Sequence, residues 1–528
     1  MSSPESAGSG VPGTYVQRTT KHASEAHEDE GKLIVVMVGL PARGKSYIVK
    51  KLRRYLNWLG FATKVFNVGN RRRTMTTESF GHNAHEPNHN SKFFDPDNTQ
   101  ARALRDQLAM DSLEELIRWL RFGQGHVAIH DATNSTRARR RLLLDRCQKE
   151  PNCSLLFVES ICDDDRVVRH NIQMKLMSPD YQHMEPADAR RDFLARLQNY
   201  ERAYQTLGSW EERHDVQYCK IINVGKKVIA YNIQGYLAGQ CVFYLMNMNL
   251  ARRQIWISRH GESTDNLTGC IGGDAPLSAK GQVYAAALAT FINEQRVRFE
   301  ASLSSAFPSP DRTHSPDGTP QGDSGSPKHA LDRVNESLLR HANSPSRSTL
   351  ELPNLSRSSS QLQRHPPAPK FVVWTSMLRR AIGTVDAFDP LAYDIKHIRA
   401  LNEIYAGSCE GMTYQEIQET FPREYADRQA NKLYYRYPGM GGESYADVIQ
   451  RLHPLIVELE RTTHSALIVT HNAMSRTLLS YMLDIPTQEM TRLEVPLHTV
   501  YCIEPKPFGN ECRKYAFDFE SNQFYPVD

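Results

Sequence analysis

The chain has 528 residues, 40% hydrophobic and 23% charged, with a formal net charge of +4. At roughly 100–200 residues per domain this length predicts two to four domains, and so balanced a charge gives no global argument for a nucleic-acid or membrane partner, leaving anionic ligands to local basic clusters. Nine cysteines without CxxC spacing point to a reduced compartment and away from structural zinc, a polar start argues against secretion, and the longest apolar run, residues 33–40, is far too short for a bilayer.

In chain order, residues 1–31 read as a disordered tail, rich in Ser, Gly and Glu. LIVVMV (33–38) has the continuous apolar character of a buried strand, and residues 46–59 carry Ile48, Leu52, Leu56 and Leu59 at helical spacing. TKVFNV (63–68) is a second strand, a helix follows around Leu104–Leu120, and HVAIHD (126–131) is a third strand. Strands alternating with helices predict an α/β domain on a parallel sheet, spanning 32–250. The pattern restarts over 251–528: QIWISRHGE is a strand entering a polar turn, residues 277–291 look helical, FVVWTS (371–376) resumes the sheet, and ALIVTH (466–471) is a later strand. Between them, about 302–370 is dense in Ser, Pro, Asp and Gly and reads as a disordered insertion.

Gly39-Leu-Pro-Ala-Arg-Gly44-Lys45-Ser46 matches GxxxxGK[ST] between a strand and a helix, the context a P-loop requires. Glycines let backbone N–H groups approach phosphate oxygens, and the helix N-terminus adds partial positive charge. Lys45 is predicted to reach the β- and γ-phosphates of ATP, and Ser46 to ligate Mg²⁺. Asp131, closing the third strand, is where a Mg²⁺ or substrate-hydroxyl contact belongs; its bland alternative is a helix cap. Arg71, Arg72 and Arg73 follow the second strand, and Arg105 and Arg139 begin helical segments near the same edge. Guanidinium forks suit phosphate, although singly each is more often a solvated charge.

In the second half, Arg259-His260-Gly261-Glu262 ends one strand and His471 ends another. Two strand-end histidines can meet one phosphate at the open edge of an α/β sheet. A neutral His260 would attack phosphorus, and Arg259 and Arg380 would neutralise the oxygens. A carboxyl must protonate the leaving alkoxide. Glu403 is a candidate that spacing alone does not select over Glu262, Glu410 or Glu443.

These strings, with KLRRYLNWLG, DATNSTRARRR, ESICDD, SPDY, IGGD, WTSMLRRAIGT, GESY and PLHTV, resemble the 6-phosphofructo-2-kinase/fructose-2,6-bisphosphatase family over about 32–520. The resemblance implies an adenylate-kinase-like P-loop domain joined to a phosphoglycerate-mutase-like phosphatase domain. It implies MgATP-dependent phosphorylation of fructose 6-phosphate at O2 and removal of that phosphate through a phosphohistidine, together with a homodimer in the cytoplasm. By position it puts Lys45, Asp131, Thr133, Cys162 and Lys175 at the kinase centre, with Gly39, Gly44, Ser46 and Asn171 also on ATP. It puts Arg72, Arg105, Arg139, Arg196 and Tyr200 on fructose 6-phosphate. In the second domain it makes His260 the nucleophile, Glu403 the proton donor and His471 the partner histidine. Arg259, Asn266, Gly272, Arg380, Tyr414, Arg428, Lys432, Tyr445 and Arg476 would bind the bisphosphate.

The chain departs from the family pattern at Cys270 (commonly Arg), Asn472 (commonly Gln), Tyr405 (often Asp) and Asn70-Arg71 (often Glu-Tyr). Loss of a negative charge at Tyr405 should lower the pKa of Glu403 and weaken or shift phosphatase turnover. The insertion holds five Ser/Thr-Pro sites, Ser309, Ser315, Thr319, Ser326 and Ser344, plus Ser358–Ser360 after Arg357. Phosphorylation there by regulatory protein kinases would tune the phosphatase; an inert spacer is the alternative. Two rivals remain, a polynucleotide kinase-phosphatase, which would need a basic groove with stacking aromatics, and a non-catalytic sugar-phosphate sensor.

Overall fold

The computed structural model describes residues 31–79, 91–306, 371–506 and 509–527. Apart from Gly31 and residues 302–306, the expected tail and insertion lie outside them.

Most of the described chain belongs to one unit, residues up to Phe291 and from Lys370 onward, built on two sheets. The first has the order β2-β3-β1-β4-β5-β6, from β1 (Lys32–Val38), β2 (Thr63–Asn67), β3 (Val127–Asp131), β4 (Cys153–Ile161), β5 (Tyr218–Ile222) and β6 (Lys227–Tyr231). All pair in parallel except β6. Parallel strands need covered faces, which is why β1 and β3 read as apolar runs. The helices of this half are α1 (Lys45–Trp58), α2 (Val68–Ser79), α3 (Thr99–Phe122), α4 (Arg137–Cys147), α5 (Asp165–Leu176), α6 (Pro186–Ala203) and α7 (Tyr236–Met246), of which α1, α3, α4 and α7 pack on the strands. Arg72 thus lies in α2, whose first residue is Val68, and Arg105 lies in the second turn of α3 rather than at its start.

The second sheet has the order β13-β12-β11-β7-β10-β8-β9. Its members are β7 (Ile255–Arg259), β8 (Phe371–Thr375), β9 (Tyr393–His397), β10 (Ala466–Thr470), β11 (Thr499–Lys506), β12 (Gly509–Asp518) and β13 (Gln523–Val527). The β7-β10-β8-β9 part is parallel, and β11 to β13 add antiparallel strands to its other side. The helix α8 (Ala279–Ala306) runs past both its predicted end at 291 and the predicted start of the insertion at 302. Residues 292–306 hold no Gly or Pro to stop it. A second unit begins at Ile292. Three further helices matter below: α9 (Arg379–Val385), α10 (Tyr445–Arg461) and α11 (Asn472–Leu483).

The two sheets share one core. Tyr55 and Trp58 of α1 belong to the same buried cluster as Leu478 and Tyr481 of α11. Trp58 Nε1 donates to Thr477 O at 3.1 Å, and Tyr55 stacks on Tyr244 with ring centroids 4.2 Å apart. Burying each such ring contributes about 1.5–3 kcal/mol. At the centre of this contact Glu460 of α10 meets Lys51 and Arg54 of α1 and Arg253. No helix among the described residues is long and apolar enough to cross a membrane.

Candidate active sites

β1 sits between β3 and β4, and the chain leaves it at its carboxyl end into the P-loop, the edge where open α/β sheets bind ligands. Gly44 (φ 88°) is the αL residue that caps α1. Gly39 (φ 134°) approaches β4 so closely that a Cβ would lie 2.6 Å from Ser160 O, and its N–H donates to Thr133 O at 2.9 Å. Lys45 Nζ folds back onto Gly39 O (2.8 Å) and Leu40 O (2.6 Å). Burial draws its ammonium down to about 7, against the pull of Asp131.

A cleft of about 680 Å³ opens over this edge. Gly44, Lys45, Ser46, Arg72, Arg105, Asp131, Thr133, Arg139, Asn171, Lys175, Arg196 and Tyr200 line it; Gly39 and Cys162 do not. Cys162 is buried just beyond β4, and burial pushes its thiol up. Asp131 caps no helix: Asn67, its partner in the β2–β3 register, donates Nδ2–H to its Oδ2 at 2.6 Å. Burial raises the Asp131 carboxyl, with Lys45 opposing.

Sequence reasoning missed the anchor of the arginine cluster. Asp180 accepts from Arg72 (2.5 Å), Arg73 (3.2 Å) and Arg196 (3.4 Å). Burial alone would raise its carboxyl, but Arg72, Arg196 and Arg73 hold it at about 2. Arg196 also lies 3.8 Å over the Phe94 ring. Only its place in SPDY hinted at Asp180. Arg105 NH1 donates to Phe93 O, and Arg139 pairs with Asp106.

The second site follows from strand register. Thr470 pairs with Arg259, so the next residue on each strand, His471 and His260, leaves the sheet beside the other, with ring centroids 5.0 Å apart. His260 Nδ1 is 2.7 Å from Gly261 O, an acceptor only, so Nδ1 carries the proton. Nε2 keeps its lone pair, toward which Arg380 Nε–H points at 3.2 Å. Burial, then Arg380, holds the imidazole well below its ordinary value, so it is neutral. Arg380 NH1 also donates to Gly273 O at 2.8 Å. Gly272 (φ +74°) packs on Glu410, which accepts from Gly273 N and Ala406 N, both at 2.7 Å.

Arg259 NH1 donates to Val495 O (2.8 Å), and its buried Nε has no partner among the described residues. Asn266 Oδ1 accepts from Ser263 N and Oγ, both at 3.0 Å, leaving its amide N–H groups for a ligand. Glu403 accepts from Ala473 N at the start of α11 (3.2 and 3.3 Å), which sets it next to His471 in space. Arg451 fastens its loop by donating to Asn402 O and pairing with Glu443. Tyr405, a departure from the family pattern, is 47% exposed. Asn472 Oδ1 is buried without a partner among the described residues, and Cys270 Sγ lies 3.3 Å from Thr268 Oγ1.

The remaining predicted residues form a polar shelf. Arg428 donates to Tyr414 OH (2.9 Å), and Arg476 to Tyr445 OH (3.1 Å) and Leu493 O (2.6 Å). Burial, then Arg476 and Arg428, draws Lys432 down to about 8. Arg428, Lys432 and Arg476 bring three cations to this shelf, which suits an anionic ligand.

The fold and sites define a P-loop phosphotransferase domain followed by a histidine phosphatase domain. Residues 20–252 match the family model for 6-phosphofructo-2-kinase, and 255–313 with 356–518 match the histidine phosphatase superfamily, branch 1. A probable 6-phosphofructo-2-kinase of Schizosaccharomyces pombe is 43% identical over 98% of this chain and 74% of its own length. A 6-phosphofructo-2-kinase of Saccharomyces cerevisiae is 43% identical over 98% of this chain, which spans only 56% of that protein. The human 6-phosphofructo-2-kinase/fructose-2,6-bisphosphatase 3 is 38% identical over 92% of this chain and 77% of its own. The chain belongs to the 6-phosphofructo-2-kinase/fructose-2,6-bisphosphatase family and carries both the kinase and the phosphatase domain.

Proposed function

We propose that this chain both makes and breaks fructose 2,6-bisphosphate, and through it regulates glycolysis. In the first site ATP lies on the P-loop, with Gly44, Lys45 and Ser46 at its phosphates, Gly39 shaping the turn behind them, and Asn171 and Lys175 beside them. Ser46 and Asp131, hard oxygen donors on the cleft wall, suit the nucleotide's Mg²⁺, whose charge screens the β- and γ-phosphates. Arg72, Arg105, Arg139, Arg196 and Tyr200 hold fructose 6-phosphate, whose phosphate competes with Asp180 for the guanidinium groups. Asp131 and Thr133 orient the sugar O2, which attacks the γ-phosphorus as the bond to ADP breaks and the hydroxyl proton passes to the Asp131 carboxylate. Lys45 moves from the carbonyls it now meets to the transferring phosphoryl group. Cys162 supports the fold beside this centre.

In the second site His260 Nε2 attacks the 2-phosphorus. The P–O2 bond breaks, O2 takes a proton from Glu403, and fructose 6-phosphate leaves a phosphohistidine. Water then attacks phosphorus, giving its proton to Glu403 and releasing phosphate and neutral His260. Arg259, Arg380, Asn266 and His471 hold the phosphoryl oxygens. Gly272, Tyr414, Arg428, Lys432, Tyr445 and Arg476 hold the rest of the bisphosphate.

The observation that supports this best is Arg380 Nε–H at 3.2 Å from the bare Nε2 of His260, a nucleophile and an oxyanion clamp already in contact. A paired assay tests it. MgATP with fructose 6-phosphate should give fructose 2,6-bisphosphate, and that bisphosphate should be hydrolysed by the parent chain but not by His260→Ala. The two fungal relatives above carry only the kinase name, which favours a kinase-dominant balance as the second reading; a high kinase/phosphatase ratio would select it. Silence in both arms would favour the sensor, and ATPase stimulated by a DNA 5′-end rather than by the sugar would favour a polynucleotide substrate. The proposal includes a cytoplasmic homodimer, tested by light scattering on the purified chain, and regulatory phosphorylation of the insertion.

A further inference from the structure

Three strands end together at the second site. Besides β7 and β10, β8 ends here: it pairs with β10 in the register Thr375 to Val469, so Ser376 follows opposite Thr470, one residue before His471. Both side chains are fully buried. Ser376 Oγ lies 2.7 Å from His471 Nε2. It also accepts from Leu378 N at 3.2 Å, in the turn that leads into α9 and Arg380. His471 Nδ1 is buried with no partner among the described residues.

Counting donors and acceptors decides the tautomer. If Nε2 carried the proton and gave it to Oγ, the serine hydroxyl would have no acceptor. Nδ1 would then present a bare lone pair in a site whose ligand is an anion. If Ser376 donates its hydroxyl proton to Nε2, the hydroxyl is satisfied on both sides. His471 is left with one free group, an Nδ1–H donor. A buried donor without a partner is unfavourable, and a phosphoryl oxygen supplies what it lacks.

We propose that Ser376 is the positioning residue that fixes His471 in its Nδ1–H tautomer and aims that N–H at the phosphoryl group. The proposal rests on the phosphohistidine reading above and adds the reason the second histidine donates rather than repels. The same oxygen steadies the turn before Arg380, so the imidazole N–H and the guanidinium are set by one hydroxyl.

The test combines nitrogen NMR with kinetics on the full chain. In ¹⁵N-histidine-labelled protein, with His471→Gln to assign the signal, His471 of the parent should show a protonated Nδ1 and a bare Nε2. In Ser376→Ala this preference should be lost. The bisphosphatase kcat of that variant should fall about 10- to 100-fold, the range for losing an outer hydrogen bond that orients a histidine, while kinase turnover stays at the parent value and reports an intact fold. Adding Ser376→Ala to His471→Gln should slow hydrolysis no further, because the serine acts through the histidine. A parent His471 protonated at Nε2, an unchanged kcat in Ser376→Ala, or full additivity in the double variant would overturn the proposal. A parent chain that hydrolyses no bisphosphate would sink the phosphatase reading instead, and the nitrogen spectrum would still decide the tautomer.

Discussion

Arg54, in the helix that begins at the P-loop, pairs with Glu460 of the phosphatase half at 2.9 Å, with both side chains buried. Lys51 and Arg253 converge on the same carboxylate, and Tyr481 OH donates to it at 2.7 Å. Burial alone would raise the Glu460 carboxyl, but the three cations outweigh it and hold it at about 2; for Lys51 burial wins and draws its ammonium down to about 8. Glu460→Gln should therefore strand three buried cations and lower stability by about 3–5 kcal/mol, read as the shift in urea midpoint. Because the folded-state value lies below the ordinary 4.5, this contribution is present above pH 4.5 and is lost as pH falls toward about 2. The glutamine variant should show a flatter acid denaturation profile than the parent over that window.

His260 gives a second pH prediction. Its imidazole must be neutral to attack, and burial with Arg380 keeps it neutral well below its ordinary 6.5. The acid limb of bisphosphatase kcat/KM should accordingly lie below pH 6.5. A limb at or above that value would mean that bound water or the substrate reopens the site.

Asn134 bears on the kinase. It occupies the αL region (φ 41°) and spends both amide protons, on Met37 O (2.9 Å) and His130 Nδ1 (3.2 Å). His130 Nε2 lies 3.1 Å from Ala109 O, and burial lowers the imidazole to about 4, so its Nδ1 accepts. The carboxamide thus ties the root of the P-loop to the loop carrying Asp131 and Thr133. Asn134→Asp keeps the size and the backbone preference but removes both donors. Kinase kcat should fall by about tenfold or more, with bisphosphatase turnover as the unchanged control.

At Gly272 a methyl group would meet Glu410 Oε2 at 2.0 Å, on a backbone with φ +74°. Gly272→Ala should displace Glu410 from Gly273 N and, through Gly273 O, loosen Arg380. Bisphosphatase kcat/KM should drop while kinase activity holds. Equal activity in both arms would show that the loop absorbs the methyl elsewhere.

The strands that carry His260, His471 and Asp131 were legible because a buried parallel strand is a continuous apolar run, and a reactive residue at its end interrupts that run. The P-loop was legible because its glycines and lysine sit within eight residues. Ser376, Asp180, Glu460 and Asn134 were not, because each takes its meaning from a partner far along the chain. Ser376 meets His471 only once β8 and β10 are in register. Asp180 resembles any surface aspartate until three arginines from two other helices close on it. Helix α8 outruns its predicted end at 291 and enters the Ser-rich sequence after 302 that reads as coil, because residues 292–306 hold no Gly or Pro to stop it.

The strand order of the second sheet sets an order of events during synthesis. β7, which ends in Arg259 with His260 immediately after it, is the first strand of its sheet to leave the ribosome, yet its neighbours are β10 and β11, made roughly 200 residues later. The nucleophile's strand must therefore wait, unpaired and apolar, until nearly the whole chain has emerged. A truncation anywhere before β10 leaves it exposed to association with other chains, while β1 to β6, complete by residue 231, have already closed their own sheet.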